Sequence, residues 1–209
     1  MRLSPSIRFR EASDARIAGL ANVILIKAGP GNPGDRHYYS ADLLKDSVRS
    51  GFFEGAQCYL DHPTPIEDKQ QPERTVTKLA GYFTDCKLTT QDGATAIVGL
   101  FHPQLGRNDV LGMLRTATEY AEAFPNRAYV GLSINAAGQT DEKNPVIVNG
   151  ARYSPVVRFD ELISVDIVTR AGAGGRVLSF REAWRAASRT IKPSRCETIE
   201  VDCVEDLSI

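Results

Sequence analysis

The chain has 209 residues, 42% hydrophobic and 24% charged, with 17 Gly and 11 Pro. This is ordinary globular usage and excludes a collagen-like, coiled-coil or wholly disordered protein. Its 25 Lys and Arg against 26 Asp and Glu give a formal charge of -1, whereas a chain held to nucleic acid by phosphate neutralisation carries a basic excess, so no nucleic-acid partner is expected. The longest apolar stretch, 20–26, is broken by Asn22 and falls well short of the about 18 residues of a membrane span, and 1–10 lacks the apolar heart of an export signal. A soluble chain with no membrane partner follows as the expectation.

In chain order, the Ile, Val and Leu of 16–27 predict a strand running into the Gly- and Pro-rich loop 28–34. Ser40 caps a predicted helix whose staple is Tyr39 with Leu44, whose apolar face is Leu43, Leu44 and Val48, and whose stop is Gly51. A short strand over 56–60 delivers Asp61-His62-Pro63 to a polar segment, 64–74, read as a loop. Strands over 79–88 and 94–101 flank Asp92-Gly93, a strong hairpin signal. Asn108 is positioned to cap a helix over 109–123, with Val110, Leu114, Ala117 and Ala121 on one face. A strand over 128–136 follows, then a second hairpin about Asn149-Gly150 and an apolar strand over 162–168. After the glycine-rich 170–176, Ser179 and Glu182 form a capping box for a third helix bearing Phe180, Ala183, Trp184 and Ala187.

About seven strands and three helices, several strands joined by hairpins, predict an α+β fold with a mostly antiparallel β-barrel core surrounded by helices. One domain is expected over 1–188. Beyond it, 189–209 turns basic at Arg189, Lys192 and Arg195, then acidic from Glu197 to Asp206, and is expected to be a charged tail or the start of another module.

The four cysteines, Cys58, Cys86, Cys196 and Cys203, have no zinc-site spacing. They read as reduced thiols, and neither a metal nor a cofactor is implied. Of three histidines, His37 and His102 read as surface or cap residues, while His62 reaches the rim of a polar loop from a strand. Ser133 lies in the apolar run 129–134, where a buried hydroxyl must find a partner. Asp166, within 163–168, needs a cation, a donor cluster or solvent. A histidine between such an acid and such a serine activates a weak nucleophile.

Tyr59-Leu-Asp-His-Pro63, Leu79-Ala-Gly-Tyr82, Tyr129-Val-Gly-Leu-Ser-Ile134 and Ile163-Ser-Val-Asp-Ile-Val-Thr-Arg-Ala-Gly-Ala-Gly-Gly175, in that order, resemble the tailed-bacteriophage prohead (capsid maturation) proteases, relatives of the herpesvirus assemblins. The resemblance covers about 16–187. It implies an assemblin-like fold and a serine endopeptidase with His62 as general base, Ser133 as nucleophile and a third member after the serine. In assemblins that member is a second histidine; here all histidines precede Ser133, which leaves Asp166 first and Glu161 second. The segment 170–175 is the implied source of oxyanion donors, with Arg170 and Ala171 as candidates. The implied substrates are scaffold protein, the major capsid protein and the chain itself by autocleavage, in the host cytoplasm inside the assembling procapsid. Homo-oligomerisation stays open. A non-enzymatic assembly or scaffold protein of the same fold is the alternative. A small-molecule hydrolase is disfavoured because Gly131-Leu-Ser-Ile-Asn135 lacks the second glycine of a Gly-x-Ser-x-Gly elbow.

Overall fold

Asp92 and Gly93, at φ 51° and 76°, and Asn149 and Gly150, at φ 51° and 79°, are all left-handed, as a two-residue hairpin turn requires. They join β5 (Leu79–Gln91) to β6 (Ala94–Pro103) and β8 (Val146–Val148) to β9 (Ala151–Val168). The computed structural model describes residues 19–125 and 127–181. Its other strands are β1 (Leu20–Lys27), β2 (Gly29–Pro30), β3 (His37–Tyr39), β4 (Gln57–Tyr59), β7 (Gly131–Thr140) and β10 (Gly175–Arg181). Among the described residues three α-helices accompany them, α1 (Ala41–Arg49), α2 (Pro65–Gln70) and α3 (Asn108–Ala123).

The strands form a 10-stranded sheet in the order β2-β3-β9-β7-β10-β1-β6-β5-β4, with β8 pairing off this path to β9. Only β3 with β9 is parallel among the strand pairs of the described residues. The mixed, mostly antiparallel α+β reading therefore stands. The barrel does not, because the sheet is not closed: after β4 the chain meets β9 through one parallel bridge, Leu60 to Ile167, instead of a ladder. Asp61 at φ 61° turns the chain out of line immediately afterwards.

Central β1 is apolar on both faces, and Ala21, Val23, Ile24, Leu25 and Ile26 are all buried. Around it pack Phe53, Phe83 and Phe101, with Leu44 from α1, Val110 and Leu114 from α3, and Val165 from β9. Each such side chain contributes about 1.5–3 kcal/mol by leaving water. Ser40 Oγ accepts from Leu43 N at 3.1 Å, so the predicted cap of α1 is real.

Three local expectations are corrected. Asn108 does not cap α3; Arg107 occupies the cap position without a side-chain cap bond. The segment 64–74 is not all loop, since Thr64 and Glu67 close a capping box over α2, with Thr64 N donating to Glu67 Oε2 at 2.8 Å and Glu67 N to Thr64 Oγ1 at 3.2 Å. Ser179 and Phe180 belong to β10, paired with Asn22 and Ala21 of β1. Asn22 Nδ2 donates to Ser179 Oγ at 2.9 Å, so the hydroxyl is committed to the sheet and not to a helix N-terminus. The rest of that predicted helix, and the tail 189–209, lie outside the described residues.

Candidate active site

Ser133 in β7 and Asp166 in β9 are directly opposite in an antiparallel pair, so their side chains stand on one face as close neighbours. His62 is brought to them by the bridge after β4. Asp61 N donates to Ile167 O at 2.9 Å, the left-handed Asp61 redirects the chain, and Pro63 restricts the histidine backbone to extended conformations. Tyr59 N, just upstream, donates to Asp166 Oδ1 at 3.3 Å. The acid on one strand thus anchors the segment that carries His62.

The imidazole lies between the other two groups, with Nδ1 2.7 Å from Asp166 Oδ2 and Nε2 2.9 Å from Ser133 Oγ. An ionised carboxylate only accepts, so Nδ1 carries the proton and Nε2 accepts from the serine hydroxyl. Asp166 is fully buried, whereas the His62 side chain is 38% exposed. One end of the line of contacts is therefore sealed in protein and the other reaches the surface.

The cation that buried Asp166 requires is Arg74, its own side chain only 7% exposed. Nη1 donates to Asp166 Oδ2 at 3.4 Å and to Ser164 Oγ at 3.3 Å, and Nη2 donates to Asp61 O at 3.0 Å. The guanidinium carbon lies 4.3 Å from the Tyr59 ring centroid, within cation–π range. Among the described residues no buried side-chain nitrogen or oxygen lacks a partner. Arg74 is the site residue the sequence reading missed. The signal that points to it is the buried acid's need for a positive partner, but no spacing identifies which cation supplies it.

Two hollows adjoin His62. A cleft of about 510 Å³ runs along consecutive residues 134–138 of β7, faced by Asp35, His37 and Tyr39. A smaller cavity of about 120 Å³ is lined by Ser133 itself, by Leu25 and Ile26, and by Arg170 and Gly172 of the loop after β9. That loop is tightly held: Lys27 N donates to Ala173 O at 2.8 Å, and a Cβ on Gly172 would lie 2.7 Å from Asn32 N. Ala171 abuts β7, since a Cβ on Gly131 would lie 2.5 Å from its methyl carbon.

Of the residues named from sequence, His62, Ser133 and Asp166 are brought together, and Arg170 lines the cavity at Ser133. Glu161 is not; it sits opposite Ala137 and is exposed. His102 is occupied elsewhere, 2.7 Å from Thr84 Oγ1 and stacked on Tyr82 at 4.6 Å. His37, expected to be a surface or cap residue, lines the cleft. Burial, followed by the charge of Asp166, pushes the Cys58 thiol well up, and burial with Glu54 nearby raises Cys86 to about 12. Neither of these free thiols is a nucleophile near neutral pH. Burial and then the Asp35 charge raise the Tyr39 phenol above its ordinary value, so it faces the cleft as a neutral hydroxyl. Among the described residues no group of three or more His, Cys, Asp or Glu could hold a metal ion, and no helix is long and apolar enough to cross a membrane.

No family model, curated protein or solved structure matches this chain, so its chemistry rests on the geometry of the site. An acid, an imidazole of fixed tautomer and a hydroxyl aligned in this way can move a proton from serine to histidine as the serine oxygen attacks a carbonyl.

Proposed function

We propose that the chain is a serine endopeptidase of the assemblin-like kind, acting in procapsid maturation of a tailed phage. The observation that carries the hydrolase reading is the uninterrupted line from buried Asp166 through His62 to Ser133, with contacts of 2.7 and 2.9 Å. Ser133 attacks the scissile carbonyl while His62 Nε2 takes its proton, and the imidazolium is held by Asp166. His62 then protonates the leaving amine, and water attacks the acyl-enzyme with His62 again as base. Backbone N–H groups at Arg170 and Ala171 are the proposed oxyanion donors, since their loop borders the cavity at Ser133. A cleft along successive residues of one strand suits an extended polypeptide. The assignment to phage scaffold and capsid proteins, to self-cleavage and to the interior of the procapsid in the host cytoplasm draws on the motif order Tyr59–Pro63, Leu79–Tyr82, Tyr129–Ile134 and Ile163–Gly175.

The test pairs a serine-directed fluorophosphonate with co-expression alongside scaffold and capsid proteins. The wild-type chain should be labelled on Ser133 and should process the scaffold, and Ser133→Ala should do neither while melting within a few degrees of wild type. A folded wild-type chain that resists the reagent would end the serine-hydrolase reading in favour of a non-enzymatic assembly protein. Labelling without processing would retain the hydrolase and remove the substrate assignment.

A further inference from the structure

Resting on the serine-hydrolase reading of the site, we propose that Arg74 is a positioning residue that fixes His62 against Asp166. Among the described residues no other side chain joins the two halves of the site in this way. Its Nη2 holds the carbonyl of Asp61, the residue before the base, and its Nη1 holds the acid and Ser164 on β9. Besides the His62 contacts to Asp166 and Ser133, the halves are linked by Tyr59 N to Asp166 Oδ1, Asp61 N to Ile167 O and the Leu60–Ile167 bridge. The guanidinium fork therefore spans a seam that the strands leave almost unpaired, and the Tyr59 ring beneath it restricts its swing.

The same atoms act electrostatically. His62 Nδ1 and Arg74 Nη1 both contact Asp166 Oδ2, at 2.7 and 3.4 Å, so two cationic groups compete for one buried carboxylate oxygen once the imidazole is protonated. The other charged or titratable groups facing His62 are Asp35, His37 and Tyr39 across the cleft and Arg170 at the small cavity, with Asp61 adjacent in sequence. Of these, Asp35 and Arg170 are exposed and screened, and His37 and Tyr39 are half-buried. Arg74 and Asp166 are buried, so the guanidinium is the cation that shares the carboxylate oxygen with the ring.

The test is to prepare Arg74→Met and Arg74→Lys, record the NMR signal of the His62 Nδ1 proton shared with Asp166, and measure the rate of fluorophosphonate labelling. Arg74→Met removes the fork, so the Nδ1 signal should broaden or be lost and labelling should slow about tenfold or more. Arg74→Lys keeps the charge but not the fork and should not restore the wild-type rate. A purely structural role would lower the melting temperature without moving the Nδ1 signal. If Arg74→Met keeps the wild-type Nδ1 signal and labelling rate, the proposal is overturned; if that variant does not fold, wild-type labelling by Arg74→Lys overturns it. Should the wild-type chain resist the reagent, the hydrolase reading fails, and the Nδ1 signal still decides whether Arg74 positions the imidazole.

Discussion

Replacing Asp166 by Asn removes one charge and turns one acceptor oxygen into a donor at a site with no solvent to compensate. The wild-type carboxylate takes three donors: Tyr59 N at Oδ1, and His62 Nδ1 and Arg74 Nη1 at Oδ2. An amide can meet them in two ways. With its nitrogen at the Oδ2 position it faces Arg74 donor to donor and forces His62 into the opposite tautomer, in which Nε2 carries a proton and cannot accept from Ser133. With its nitrogen at the Oδ1 position it keeps His62 and Arg74 but orphans the Tyr59 N–H. Either arrangement leaves a buried donor unpaired, at about 1–3 kcal/mol, and leaves Arg74 without a counter-charge. Arg74 retains Ser164 and the Asp61 carbonyl, so the sum falls below the full cost of breaking a buried ion pair, at about 2–4 kcal/mol. For a domain of this size that is a melting decrease of roughly 4–16 °C. Turnover should fall by roughly 10²–10⁴ because the base loses both its orientation and its stabilised charged form. Differential scanning calorimetry and fluorophosphonate labelling measure the two effects. An Asp166→Asn chain with unchanged melting and unchanged labelling would refute the placement of a charged acceptor at the centre of the site.

The same geometry sets four further outcomes. Glu161→Gln should leave labelling within a factor of about two, since an exposed group opposite Ala137 has no route to His62; a loss as large as that of Asp166→Asn would make Glu161 the third member. His102→Ala should retain scaffold processing, because that ring is engaged with Thr84 and Tyr82, and loss of processing by a folded variant would reassign the base. Gly172→Ala should displace the loop from Asn32, which its Cβ would approach to 2.7 Å, and lower labelling by roughly 10–10³ through misplaced oxyanion donors; unchanged labelling would remove that loop from the chemistry. Lys78 and the Thr64 cap hold the exposed Glu67 carboxyl down to about 2. A depressed folded value stabilises above the unfolded Glu value and is lost as pH falls through about 2, so amide shifts of Thr64 and Glu67 should report an intact cap at pH 4, and a transition near pH 4.5 would contradict it.

What the sequence made legible divides by range. The Ser40 cap and the Asp92-Gly93 and Asn149-Gly150 turns were readable because their physics is completed within a few residues. Ser133 and Asp166 stood out as polar groups in apolar strands, although their facing register depends on a pairing across 33 positions with three irregularities in it. The capping-box pattern at Ser179 misled for the converse reason. That stretch is an equally good partner for β1, and pairing along β1 with the Asn22 bond outweighs a local helix preference. Arg74 was illegible because it ends a polar stretch, and only the fold shows that its head is buried against an acid 92 residues away. The barrel expectation assumed that hairpin strands close on themselves; the chain after β4 meets β9 instead through the single Leu60–Ile167 bridge.

The seam between the segment after β4 and the end of β9 joins His62 to Asp166, yet it carries one bridge and very few main-chain bonds, whereas β7 and β9 share a ladder ten registered pairs long. Cooperative stability should therefore be unevenly shared, with the Ser133–Asp166 half tied into a long ladder and the His62 half held by few bonds. On heating, loss of nucleophile activation should precede loss of sheet, and hydrogen exchange at Tyr59 and Asp61 should be faster than at the amides flanking Ser133. The contact between His62 and Ser133 therefore depends on the least paired junction of the sheet, so a change confined to that junction should separate the two side chains while the β7–β9 ladder stays intact.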